Sequence, residues 1–390
     1  MSDHAERALR RDRQVSPRED IPAGGRPRPR VDLASRLDRA RLYADAAAPS
    51  DVHRLLEFLL DEPPARDSEA GGVSGLVLLA GACRALGHAE HLERIGRRLE
   101  AALAAGAPGL SVEARLRATF ELASQRQHAE RYREGLELLR GVAPADLERT
   151  PPRLAVALLG MEAQCLARLG RYEEAEAAIA RSLPWAEASG EPALAGDVRT
   201  RMASVLRMRG RLRQAMELFR QASVLHRNGG DYRGTVIDLI QQGGILNRLG
   251  MPSESRDAYA RASRQAAGIG EAWLQLNADI GVAMTAIRLG VLEEARPALL
   301  RCWREARRQG LLREETLALE FLGEANALAG RPVPARTALA LCRRRWERTA
   351  PQGDLAAEGG IREALLWLTQ AEWERADAAA AEAVEATRRC

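Results

Sequence analysis

Glycine stands at positions 170, 190, 210, 230, 250, 270, 290, 310 and 330, one every twenty residues and nine times in succession. Only 33 of the 390 residues are glycine, so the run is not chance. Glycine takes the left-handed conformation that closes a helix without a Cβ penalty. The spacing therefore predicts helix ends. Each block then holds one helix of roughly 16 to 18 residues and a tight turn. Acidic residues follow several of the stops (Glu191, Asp231 and Glu271). There a carboxylate is expected to satisfy free N–H groups at the start of the next helix.

The blocks pair. Leu154, Leu158, Met161, Cys165 and Leu169 fall on one helical stripe, and Tyr172, Ala175, Ile179, Leu183 and Ala186 repeat the pattern after Gly170. Two amphipathic helices joined by so short an elbow must fold back as an antiparallel hairpin. Each hairpin leaves an apolar edge that only the next one covers, so stacking is required. Alanine and leucine abound while aromatics make up 4% of the chain, which leaves little material for strands. The expected fold is all-α, a right-handed solenoid of stacked antiparallel helix pairs.

Four columns recur at intervals of forty. A small residue late in the first helix is Ala163, Ala203, Gly243, Ala283 and Gly323. The elbow is Gly170, Gly210, Gly250, Gly290 and Gly330. A second small column is Ala175, Ala215, Ser255, Ala295 and Ala335, and a bulky one is Ile179, Phe219, Tyr259, Leu299 and Leu339. These columns resemble the tetratricopeptide repeat, in which the two helices cross closest at the small positions. The period of forty exceeds that family's usual length of about 34 residues, which implies longer helices, as in its kinesin-light-chain-like branch.

The repeats divide the chain. Residues 1–30 mix Pro, Gly and charges of both signs with few bulky apolar groups, and are expected to form a disordered, arginine-rich tail. Residues 31–70 read as a short helical lead-in, and 71–390 as the array, clear over 151–350. Copies in 71–150 and 351–390 are weaker: Tyr132 lies forty before Tyr172 but Glu130 replaces the elbow glycine. Gly87 is out of register by three, and Trp373 and Ala376 are in frame after a one-residue slip. Pro252 and Pro332 fall in first helical turns, where proline is tolerated, while Pro297 falls inside a helix and is expected to kink it.

Composition removes several functions. All 58 basic residues are arginine, so no phosphate-loop, Schiff-base or kinase-type lysine exists. A formal charge of +4 implies no strong field, and the tail interleaves acids without aromatics for base stacking. Both argue against a nucleic-acid partner. Cys83, Cys165, Cys302, Cys342 and Cys390 are odd in number and scattered, which fits reduced thiols and a cytoplasmic location. Cys302 and Cys342 share a repeat column with Ala222 and Ala262 and read as small packing groups. The chain starts charged, without the apolar core of a signal peptide, and its longest apolar run (75–83) is about half a membrane span. Cys83, His88 and His91 cluster without a fourth ligand or zinc spacing, and the paired carboxylates Glu173-Glu174 and Glu293-Glu294 sit where a helix dipole explains them. No metal, cofactor or catalytic constellation is expected; the reading is non-enzymatic.

What remains is surface. In the resembled family the first helix of each pair lines a concave groove that takes peptides or helices. The corresponding face here is Gln164, Arg168, Ser204, Arg207, Asn247, Arg248, Asn277, Met284, Arg288 and Glu324. Arg168, Arg248 and Arg288 occupy one column, a ladder able to grip carboxylates or phosphates; a composition so rich in arginine also produces such columns by accident. The expected partner is a protein or peptide with acidic character. A second reading is a sensory or autoinhibitory module of a regulator acting through its C-terminal end, where Ala380 and Ala383 give the last helix little with which to close a solenoid.

Overall fold

The computed structural model describes isolated positions between residues 73 and 83, then residues 89–104, 110–129, 131–309, 311–349 and 354–389. The tail, the lead-in, Gly87, His88, Glu130 and Gly310 lie outside the described residues. Among the described residues there are helices and no strands. The weaker N-terminal part of the array comprises α1 (Ala89–Ala104), α2 (Val112–His128), α3 (Tyr132–Arg140) and α4 (Pro144–Glu148). Five pairs follow: α5 (Pro152–Arg168) with α6 (Tyr172–Ser189), α7 (Pro192–Met208) with α8 (Leu212–Asn228), α9 (Tyr232–Arg248) with α10 (Pro252–Gly268), α11 (Ala272–Arg288) with α12 (Leu292–Gln309), and α13 (Leu312–Leu328) with α14 (Pro332–Thr349). The last pair is α15 (Asp354–Thr369) with α16 (Trp373–Arg389).

The elbows are built as the glycine spacing predicts. The eight described glycines of the series have φ between 63° and 84°. At seven of them two backbone hydrogen bonds close the helix: Gly170 N–H donates to Ala167 O (3.1 Å) and Arg171 N–H to Leu166 O (2.9 Å), and Gly250 and Met251 repeat the pair at 3.2 and 3.0 Å, while at Gly190 the second donor, Glu191 N–H, turns to Ser189 Oγ (3.1 Å). The expected acidic caps hold only in part. Asp231 Oδ1 accepts from Gly234 N–H at 2.8 Å. Glu191 and Glu271 make no cap bond. The glutamate carboxylate sits one methylene farther out, and each is drawn to an arginine one repeat back: Glu191 to Arg153 (2.5 Å) and Glu271 to Arg233 (3.2 Å).

Packing explains the small columns. Ala163, Ala203 and Ala283 are buried, as are all five members of the second column. Where the first column is glycine, the bulky residue of the same pair fills the space. A Cβ on Gly243 would come within 2.9 Å of the Tyr259 ring, and one on Gly323 within 2.7 Å of Leu339. Ser255 satisfies its buried hydroxyl by donating to Gly243 O at 2.8 Å. Cys302 and Cys342 are buried in the core, as their column implies. Pro252 and Pro332 open α10 and α14. Helix α12 runs without a break through Pro297, and α6 does the same at Pro184.

The ends are less regular. The helix opened by Tyr132 stops at Arg140, and Pro144 starts the short α4 instead of continuing it. At the other end the one-residue slip is visible in the elbow itself: Ala371 has φ 58°, and Ala371 and Glu372 donate to Leu368 O and Trp367 O as Gly330 and Arg331 do to Ala327 O and Asn326 O. First helices touch first helices along the array, α5 to α7, α9, α11, α13 and α15 in turn. They form an inner layer, with the second helices outside it.

Candidate peptide-binding groove

The inner layer presents the ten residues expected to line a groove, and the structure sorts them. Gln164 accepts from Gln127 of α2 at 3.1 Å, extending the wall toward the N-terminal end. Ser204 donates within its own helix to Thr200 O (2.9 Å). Asn247 Nδ2 reaches Met284 Sδ at 3.9 Å, tying adjacent first helices together. Asn277 is half-buried on α11. Glu324 is engaged: its two carboxylate oxygens meet Arg288 at 3.5 Å and Arg362 at 2.8 Å.

That last contact breaks the expected ladder. Arg288 pairs with Glu324, while Arg168 stands over the Tyr132 ring, 5.8 Å from its centroid. A different arginine takes its place. Arg207 is half-buried one residue off the column, and its Nε is buried without a hydrogen-bond partner. Burial first, then the charges of Arg248 and Arg168, and lastly Arg313 pull its pKa down to about 10. Arg313 lies on α13, three pairs further along, and its charge still bears on Arg207. Arg248 and Arg313 are exposed. Beneath them lies Tyr259, whose phenol burial pushes up to about 12 although Arg207 and Arg248 act the other way. It stays a neutral hydroxyl. Desolvation and the neighbouring like charges both disfavour the charged guanidinium of Arg207.

Charge changes along the groove. Glu320 is fully buried and bonds Arg362, whose guanidinium also sits 4.4 Å above the Phe321 ring. This middle stretch is neutralised. One slip further, the positions of Glu320, Glu324 and Ala327 are taken by Ile361, Leu365 and Leu368, which expose 52%, 48% and 43% of their surface. The first-helix face is cationic around Arg207 and apolar toward its C-terminal end.

One polar cluster was not foreseen from sequence. His226, at the end of α8, is 1% exposed; its Nδ1 is 2.8 Å from Asp238 Oδ2 on α9, and Thr200 Oγ1 donates to the other Asp238 oxygen at 2.6 Å. Its Nε2 faces Asp197 Oδ1 at 3.4 Å. Burial works against a charged imidazole, but the Asp197 and Asp238 carboxylates outweigh it and raise the pKa to about 9. The members come from a single pair and its neighbours and recur nowhere else, so no repeat column marks them. Cys83 and His91, the described members of the other candidate group, are both buried.

Residues 153–227 match the family model of the tetratricopeptide repeat, and the same helix register continues on both sides of that stretch. Over that stretch the chain is built of tetratricopeptide repeats, and its fold is that of a tetratricopeptide-type solenoid. Among solved structures, it is similar to a Rap protein complexed with Competence and Sporulation Factor, with a TM-score of 0.61 and 11% identity over 92% of this chain and 98% of that one. It is also similar to aspartyl phosphate phosphatase F from Bacillus subtilis (0.53, 10% identity, 94% and 96% covered). A third is a signal transduction ATPase with a tetratricopeptide repeat sensor from Pyrococcus horikoshii (0.52, 15% identity); 86% of this chain covers 52% of that one. At such identities the likeness is one of fold. No curated protein matches the sequence. No helix among the described residues is long and apolar enough to cross a membrane.

Proposed function

We propose that the chain is a non-enzymatic, cytoplasmic scaffold whose inner groove holds an acidic segment of a protein or peptide partner. The observation that carries this reading is Arg207: a desolvated guanidinium with an unpartnered Nε, surrounded by Arg168, Arg248 and Arg313. Such a group destabilises the fold unless an anion arrives to pair with it. The apolar positions Ile361, Leu365 and Leu368 at the far end suit a segment that carries aliphatic side chains beyond its acidic part. The similarity to a Rap protein complexed with a factor supports a ligand-holding use of the same fold. Nucleic acid fits less well, because the basic patch is one cluster in a chain of modest net charge.

The test is selection from a displayed peptide library on the immobilised chain, in parallel with the double variant Arg248→Glu, Arg313→Glu. Both positions are exposed, so helicity and melting should hold. Wild type should enrich Asp- and Glu-rich sequences, and the variant should lose them. Enrichment without acidic bias, or enrichment equal in both, sinks the reading.

A second reading is favoured by the same apolar run. As a sensory or autoinhibitory module of a regulator, the chain would use its C-terminal end to dock on an effector. Leu365→Asp with Leu368→Asp should then abolish regulation of that effector while leaving acidic-peptide selection intact.

A further inference from the structure

We propose that Asp197, His226 and Asp231 form a binding site for a divalent transition metal ion of the zinc type. One ligand atom from each lies within 4.8 Å of the others. The His226 ring has a single orientation, because it is wedged between two glycines. A Cβ on Gly196 of α7 would come within 2.6 Å of it, and one on Gly234 of α9 within 2.8 Å. In that orientation Nδ1 faces the fully buried Asp238 carboxylate, itself anchored by Thr200. A carboxylate behind one ring nitrogen is the arrangement that fixes a metal-ligating histidine and raises its basicity. The other nitrogen, Nε2, is buried and makes no hydrogen bond.

The distances favour an ion over a plain ionic staple. Nε2 and Asp197 Oδ1 are 3.4 Å apart and poorly aligned for a hydrogen bond. That separation is close to the edge of a tetrahedron built on bonds of about 2.1 Å, typical of zinc with nitrogen and oxygen ligands. Asp231 has one oxygen committed to the Gly234 N–H, leaving the second for the ion. Asp197, Asp231 and Asp238 bring three carboxylates around His226, and Arg201 bears on Asp197. The surplus of negative charge suits a dication. Asp197 is 40% exposed in its side chain, which leaves a route for the ion and room for a water as fourth ligand. Bound there, the metal joins α7, α8 and the start of α9.

The experiment is calorimetric titration of the chelator-stripped full chain with zinc chloride, alongside Asp197→Asn, Asp231→Asn and His226→Gln. Wild type should take up one equivalent and melt at a higher temperature when loaded. Each aspartate variant should fold as wild type and bind at least a hundredfold more weakly; they keep the test valid if the histidine variant fails to fold. Asp238→Asn, which positions the ring without touching the ion, should weaken binding roughly 10- to 100-fold. Cobalt substitution separates this site from the cysteines, since a thiolate ligand adds a strong near-ultraviolet charge-transfer band. No uptake, uptake undiminished by Asp197→Asn, or a thiolate band overturns the proposal.

Discussion

The ring of Tyr259 lies so close against Gly281 that a Cβ on that glycine would come within 2.4 Å of it. Gly281 belongs to α11 and Tyr259 to α10, so this contact is where one pair seats on the next. Gly281→Ala should cost about 1–3 kcal/mol through overpacking, read as a lower urea midpoint at unchanged slope. Gly244, whose Cβ would meet the Tyr259 hydroxyl at an ordinary 3.4 Å, is the contrast. Gly244→Ala should stabilise by up to about 1 kcal/mol through helix propensity. Equal effects at the two positions would contradict the seating of the ring. Ala215→Leu, at a fully buried small position, should cost about the same as Gly281→Ala.

Arg207→Met should stabilise the unliganded protein by roughly 1–3 kcal/mol, because it removes a desolvated and poorly satisfied charge. The folded-state pKa of about 10 is depressed below the ordinary arginine value. The penalty is therefore in full force below pH 10 and relieved only above it, so a neutral-pH melt sees all of it. Sulfate should raise the melting temperature of wild type more than that of the variant. A variant less stable than wild type would mean that Arg207 is held by partners within the protein.

Elbow conformation gives a paired prediction. Gly250 has φ 74° with nothing within 4 Å of a built Cβ, so Gly250→Ala tests backbone strain alone. It should cost about 1 kcal/mol. Ala371, already left-handed at φ 58°, should gain a similar amount on Ala371→Gly. Thermal melts of the two variants should move in opposite directions.

Thiol chemistry checks the core. Cys83, Cys302 and Cys342 are buried and pushed up to about 12, and Cys165 to about 11, in each case chiefly by desolvation. Iodoacetamide at mildly alkaline pH should leave all four unmodified in the native protein and alkylate them in guanidinium chloride. Mass mapping of native labelling at Cys302 would show that the α11–α12 core opens.

Much of the fold was legible because the repeat writes the same contact many times. The columns of Ala215 with Phe219 and Gly243 with Tyr259 each encode one helix crossing, and five copies make the pattern louder than any single substitution. Asp231 capped as expected while Glu191 and Glu271 did not, since a competing arginine one repeat away is invisible to local capping rules. The groove was legible as a face and not as a charge map. Arg288 is cancelled by Glu324 on the neighbouring first helix, a pairing across the stack. Arg313 bears on Arg207 from three pairs away, a relation that no column spells out. The His226 group is absent from the periodic pattern altogether; the flanking glycines at 196 and 234 were its one trace, and glycines off the elbow series carried no reading.

The identical bounds of successive helices, Pro192–Met208 and Tyr232–Arg248 for instance, make the hairpin a unit of length as well as of packing. Cutting a forty-residue segment from one elbow to the next rejoins like with like, so a shortened array keeps its seams while its cradle loses a fixed increment. Reach and chemistry can thus be altered separately: whole modules set how long a guest is spanned, and single inward side chains set what kind of guest is kept.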